Sequence, residues 1–124
     1  MKWIDKALEI REKVLDSLHP DLAQSYNNIG GVYFDQGKYE EALKLYYKAL
    51  EIAEKVLDPL HPELATIYGN IGFAYKGMKN YEKALEYLEK ALPGFIKHYG
   101  KNSEKVIDLE IKIKSVKLSI KYKN

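Results

Sequence analysis

The sequence predicts an all-α solenoid, one array of stacked helical hairpins with about six helices, and three observations predict it. The first is an ungapped internal repeat: His19 to Leu60 is followed by His61 to Asn102 in the same register, an offset of 42 residues. Self-similarity at a fixed period in this range is the mark of stacked-repeat architectures. The second is that apolar residues inside each copy recur at three- and four-residue steps, the period of an amphipathic helix. The third is punctuation by Pro20, Gly37, Pro59 and Pro62, which bounds the periodic segments where helices start and stop. The repeat divides residues 1–124 into a second helix of an incomplete repeat (1–18), two repeats (19–60 and 61–102) and a closing helix (103–124).

Residues from about Trp3 to Asp16 read as a helix. Lys6-Ala7-Leu8-Glu9-Ile10 repeats as Lys48-Ala49-Leu50-Glu51-Ile52, so the stretch is the counterpart of a second helix whose first helix is missing. Either the array continues beyond this stretch or the helix covers its apolar face in another way.

His19-Pro20 opens the next helix. Proline suits the first helical position, where its absent N–H had no partner, and Asp21 sits where the helix dipole favours a carboxylate. Ala23, Tyr26, Ile29, Gly30 and Tyr33 follow at helical spacing, and Gly37 can take a left-handed cap. The second helix runs from about Lys38 to Leu57, marked by Tyr39, Ala42, Leu43, Tyr46, Ala49, Leu50 and Ala53. Asp58-Pro59-Leu60 ends it.

The second copy departs in two places. Lys79 stands where Gly37 stood, with Gly77 and Asn80 beside it, so the cap is expected to move by a residue or two. Pro93-Gly94 falls inside the second helix, where proline removes a hydrogen bond and clashes with the preceding turn at a cost of about 3 kcal/mol. A kink or break is therefore expected at Leu92-Pro93, with Phe95 and Tyr99 repacking after it. From Ser103, a possible cap, Val106, Leu109, Ile113, Val116 and Ile120 make a helical stripe. Ile111, Leu118 and Tyr122 lie off it. Ile111 to Lys114 also alternates like a strand, but the register favours a helix.

Within each copy the pattern is Tyr-x-x-Ile-Gly-x-x-Tyr, then Ala, then a large apolar residue four positions on: Tyr26, Ile29, Gly30, Tyr33, Ala42, Tyr46, and again Tyr68, Ile71, Gly72, Tyr75, Ala84, Leu88. This resembles the tetratricopeptide pattern with aromatics in its tryptophan slots. The period exceeds the usual length of about 34 residues, and the surplus lies in a longer second helix and its His-Pro turn. In that it resembles the kinesin-light-chain type. The resemblance implies a right-handed α-α superhelix whose Gly30 and Gly72 meet Ala42 and Ala84 across a close helix contact.

The resemblance also implies a non-enzymatic protein-interaction scaffold, with a concave groove lined by the first helices. By register the groove residues are Gln24, Asn27, Asn28, Gly31, Phe34 and Asp35 in one copy, and Thr66, Gly69, Asn70, Phe73, Lys76 and Gly77 in the other. Asn28 and Asn70 take the slot where relatives use asparagine to grip a peptide backbone. They could equally bond a neighbouring repeat, since polar side chains often bond backbone. Lys76 alone does not make a carboxylate clamp. The phenylalanines and glycines suggest an apolar or extended segment.

Composition narrows the alternatives. Twenty basic against eighteen acidic residues give a net charge of +2, too small to imply a polyanionic partner. The absence of cysteine removes disulfides, thiol nucleophiles and cysteine metal sites. His19 and His61 sit beside prolines a whole repeat apart and read as helix-start caps rather than ligands. No phosphate loop, Ser-His-Asp set or histidine-glutamate motif occurs, so neither an enzyme nor a cofactor is expected. Glu51 with Lys55 and Glu86 with Lys90 read as solvated helix surface. No apolar run reaches the roughly 18–20 residues of a membrane span, and Met1-Lys2-Trp3-Ile4-Asp5 lacks a signal-peptide core. The cytoplasm is the expected compartment. Lys112, Lys114, Lys117, Lys121 and Lys123 could touch nucleic acid, but lysines spread around a helix favour solubility. That leaves a protein or peptide partner of unspecified identity, with self-association through the terminal helices as the alternative and nucleic acid a distant third.

Overall fold

A computed structural model describes residues 20–122, which form five helices and, among the described residues, no strand. The helix expected over Trp3 to Asp16, and His19 with it, lies outside the described residues. The all-α hairpin fold holds. The chain divides into two compact units, one ending at Leu57 and the other beginning at Asp58.

The first unit contains α1 (Pro20–Asp35) and α2 (Tyr39–Val56). Leu22, Ala23, Tyr26 and Gly30 of α1 are buried, as are Ala42, Tyr46, Ala49 and Ala53 of α2. The close approach expected at Gly30 is present. A Cβ built there would stand 2.7 Å from Tyr46 Cε1 and 3.3 Å from the Ala42 carbonyl oxygen. Gly37 caps α1 at φ 77, and the Lys38 N–H closes the turn on the Tyr33 carbonyl at 2.9 Å.

The second unit contains α3 (Pro62–Gly77), α4 (Tyr81–Tyr99) and α5 (Glu104–Lys121). Its entry turn is tied by the Leu60 N–H donating to Asp58 Oδ1 at 2.9 Å. The Glu63 N–H donates to His61 Nδ1 at 3.1 Å, so the histidine is the helix-start cap its position predicts. Gly72 repeats the close contact, its absent Cβ 2.8 Å from Leu88 Cδ2 and 3.2 Å from the Ala84 carbonyl oxygen. Tyr75 stacks on Tyr87 at 6.0 Å, and Lys90 stands over the Tyr68 ring at 5.7 Å. In the first unit Lys48 stands over Tyr26 at 5.4 Å, so both repeats pair the same slots.

Two expectations about this unit need correction. The cap after α3 does not move: Lys79 itself takes the left-handed conformation, at φ 64. The Asn80 N–H bonds the Tyr75 carbonyl at 2.9 Å, the same closure seen at Gly37. The hydrogen-bonded turn and the hairpin geometry fix the conformation, and a lysine adopts it at a steric cost of about 1–2 kcal/mol.

Nor does α4 break at Pro93, which lies inside a continuous helix. Pro93 and Glu89, whose carbonyl loses its partner, are both exposed, so the orphaned group is on the wetted side. Gly94 is buried on the other side, its absent Cβ 2.7 Å from Ala65 Cβ. Gly69 likewise faces Ala91 at 4.0 Å, so small residues make the α3–α4 seam beside Pro93. The helix stays whole because that seam holds it. Beyond Pro93, Phe95 packs edge-on to Tyr99 at 5.6 Å.

Ser103 caps α5, accepting from the Val106 N–H at 3.2 Å. Val106, Leu109, Ile113 and Val116 are buried as the stripe predicts. Leu109, Ile113 and Val116 share a core with Ala84, Leu88 and Ala91, against which Phe73, Phe95 and Ile120 pack. The strand alternative at Ile111 to Lys114 is excluded.

Candidate functional site

The register-derived residues can be placed one unit at a time. On α1, Gln24, Asn28 and Asp35 are exposed and Asn27, Gly31 and Phe34 half-buried. Gln24, Asn28, Gly31 and Asp35 follow at 4-3-4 spacing, one line along the helix. The line is set apart from Ala23, Tyr26 and Gly30, which are buried. Phe34 is not a free anchor, because its ring meets Tyr39 edge-on at 5.4 Å.

On α3 the equivalent line is Thr66, Asn70, Phe73 and Gly77, of which only Gly77 is exposed. Thr66 turns its hydroxyl inward, donating to the Pro62 carbonyl at 2.9 Å. Phe73 packs against the core shared by α4 and α5, with Lys112 Nζ 5.7 Å from its ring centroid. Lys76 is half-buried and Gly69 buried. The two asparagines therefore differ: Asn28 is open and Asn70 half-buried.

Among the described residues, Tyr46 is the titratable group that departs most from its ordinary behaviour. Burial, with the Asp35 carboxylate adding to it, pushes its phenol up to about 12. Its oxygen reaches to 4.0 Å from where a Cβ on Gly31 would lie, so an apolar hairpin seam ends under the exposed line of α1. Nothing in the sequence marks that juxtaposition except the spacing of Tyr46 from Ala42.

Several ion pairs lie on the surface. Glu51–Lys55 and Glu86–Lys90 sit at 3.6 and 4.0 Å. In α5, Lys112 pairs with Asp108 at 2.6 Å and Lys117 with Glu89 of α4 at 3.8 Å. Exposed pairs of this kind contribute about 0–1 kcal/mol. His98, alone in the sequence, shares a shallow depression with Asp58, His61 and Lys97. Among the described residues no group of three or more His, Asp or Glu side chains gathers as metal ligands. No described helix is long and apolar enough to cross a membrane.

Comparison with known proteins fits this geometry. The tetratricopeptide repeat family model matches residues 2–42 and 21–97. A search among curated proteins gives no significant match. Among solved structures, the chain is similar to a Podosopora anserina protein assigned as a kinesin light chain with nearly identical TPR-like repeats. The TM-score is 0.84 at 21% identity, over 93% of this chain and 55% of that one. It is also similar to BtubC (BKLC) from P. vanneervenii, with a TM-score of 0.81 at 26% identity over 94% of this chain and 46% of that one. The N-terminal domain of stress-induced protein-1 (STI-1) from C. elegans is further away, at 0.64 and 23% identity over 92% and 76%. The chain spans about half the length of the first two structures.

Proposed function

The chain belongs to the tetratricopeptide repeat family, whose members are in general protein–protein interaction scaffolds without catalytic activity, and from that premise we propose that it binds an extended peptide or a partner helix on the exposed faces of its first helices. Residues 19–60 and 61–102 act as the two repeats in this reading, and 103–124 closes the array. The observation that carries it is the line Gln24, Asn28, Gly31 and Asp35 on α1, whose four members stay out of the buried set. A helix spends its apolar side on packing, and a polar line left over, with amides that both donate and accept, suits recognition of peptide backbone.

In the second unit Asn70 and Lys76 carry the polar contribution. Phe73 supplies an apolar wall stiffened by the core behind it. Rigid aromatic surface of this kind makes an effective anchor, because little side-chain entropy remains to be lost on binding.

The experiment is affinity selection of peptides from a random displayed library, followed by binding measurements on Asn28→Ala, Asn70→Ala and the double variant. Loss of a hydrogen-bonding pair should weaken a selected peptide by up to about 1 kcal/mol per asparagine, roughly fivefold at most for each. Selected peptides that bind the double variant as tightly as wild type would refute the assignment. Asn28 is exposed and its loss should leave the thermal melt unchanged, so a binding defect there reports recognition rather than unfolding.

A further inference from the structure

Helix α5 is apolar on two opposite sides. One stripe is buried in the second unit's core. The other is Ile107, Ile111, Leu118 and Tyr122, which are 47%, 59%, 55% and 69% exposed. At about 100° per residue these four fall within about 60° of the helix circumference, facing away from Val116 and Leu109. Single exposed apolar residues are ordinary, but four large ones in one line form a contiguous patch of the kind that marks an interaction surface.

Two properties of the stripe say what covers it. It is symmetric about its own midpoint: Ile107 and Tyr122 lie equally far from the point between Lys114 and Ser115, and so do Ile111 and Leu118. The acids all stand on one side of that midpoint. Glu104, Asp108 and Glu110 precede it together with Lys105, Lys112 and Lys114, whereas the part of the helix beyond it carries Lys117 and Lys121 and no acid. Lys105 lies over the Tyr99 ring at 4.7 Å and Lys112 pairs with Asp108.

We propose that this face is an isologous interface, on which α5 of a second copy of the chain packs antiparallel. A two-fold axis at the midpoint sets Ile107 against Tyr122 of the second copy and Ile111 against Leu118, and each contact occurs twice, as closed symmetry requires. The antiparallel order lays the half of each helix that holds all the acids along the half of the other that holds only lysines, with Glu110 and Lys121 on the same edge. A parallel arrangement would put lysines against lysines. Lys114 meets its own counterpart beside the axis, a like-charge contact that keeps the association weak. A single helix face also buries less than the about 1,600 Å² of a standard interface. The interface uses neither α1 nor the exposed residues of α3, so it stands or falls separately from peptide binding.

The test is sedimentation equilibrium of the full chain from about 10 μM to about 1 mM, the range suited to a small interface. Wild type should pass from monomer to dimer mass. Ile111→Glu, on an exposed position, should keep the helical circular dichroism and raise the dissociation constant at least about tenfold, by burying an unpaired carboxylate. The chain has no cysteine, so single cysteines report geometry. Ser115→Cys, near the axis, should give a covalent dimer with a short bis-maleimide. Glu104→Cys should not, because its two copies would stand about 30 Å apart. A wild type that stays monomeric at the highest concentration overturns the proposal. So does a dimer indifferent to Ile111→Glu, or one in which Glu104→Cys cross-links as readily as Ser115→Cys. A monomer whose binding to anionic vesicles is lost in Ile111→Glu would assign the stripe to a membrane surface instead.

Discussion

Gly72 and Leu88 should be energetically coupled, and the size of the coupling follows from their contact. A methyl group on Gly72 would sit 2.8 Å from both Leu88 Cγ and Cδ2, against an optimal carbon–carbon separation of about 3.5–4.0 Å. Either α3 and α4 part or Leu88, fully buried, leaves its rotamer; overpacking of this kind costs about 1–3 kcal/mol. Working against that, alanine is the better helix former by about 0.8–1.0 kcal/mol. Gly72→Ala should therefore destabilise by up to about 2 kcal/mol as the balance of the two. Leu88→Ala alone should cost about 2–5 kcal/mol as a core truncation. In its presence the Leu88 atoms are gone and only the Ala84 carbonyl oxygen at 3.2 Å remains close, so Gly72→Ala should cost at least about 1 kcal/mol less than in wild type. Urea unfolding of the four proteins gives the cycle, and an interaction of at least about 1 kcal/mol is expected. Effects additive within about 0.5 kcal/mol would refute the packing argument. The first unit supplies a control: Gly30 meets ring carbons Cε1 and Cδ1 of Tyr46 at 2.7 and 2.8 Å, which phenylalanine also has. Tyr46→Phe should therefore fail to relieve Gly30→Ala, whereas Tyr46→Ala should relieve it.

Two further perturbations test local chemistry. Lys79→Gly removes the strain of a positive φ and should raise stability by about 1 kcal/mol, read as an upward shift of the urea midpoint; a lower midpoint would mean the lysine side chain contributes more than its backbone costs. Tyr46, with its phenol pushed up to about 12 against an unfolded value near 10, is stabilising in its neutral form. That contribution is complete below pH 10 and is lost as pH rises toward 12, amounting to about 1.4 kcal/mol by pH 11. Wild type should lose that much more than Tyr46→Phe between pH 8 and 11. Parallel losses in the two proteins would place the phenol in water.

The features legible in the sequence were those that local chemistry decides. The His-Pro starts, the Ser103 cap and the glycine–alanine approaches recur because each repeat must solve the same hairpin, and repetition shows the solution twice. Lys79 was misjudged because a left-handed residue favours glycine without requiring it. What fixes the turn is the bond from Asn80 to Tyr75, and no propensity records that. Pro93 was misjudged for a related reason. The cost of a helix proline depends on whether the orphaned carbonyl is wetted and whether the opposite face is held. Both conditions come from tertiary structure, through exposed Glu89 and the Gly94–Ala65 contact.

The candidate site shows the same limit from the other side. Register alone makes Asn28 and Asn70 equivalent, and the resemblance makes both of them peptide ligands. Yet Asn28 stands open while Asn70 lies half-buried, three residues before a Phe73 packed into the core that α5 completes. Helix α5 changes the repeat it packs against, so equal slots need not have equal affinities. In the proposed reading Asn28 is thus open to a ligand in the free protein, while Asn70 is only partly so. A larger loss in Asn28→Ala than in Asn70→Ala is therefore expected. Equal loss at both would mean that the bound segment, not the free protein, decides how far Asn70 is exposed.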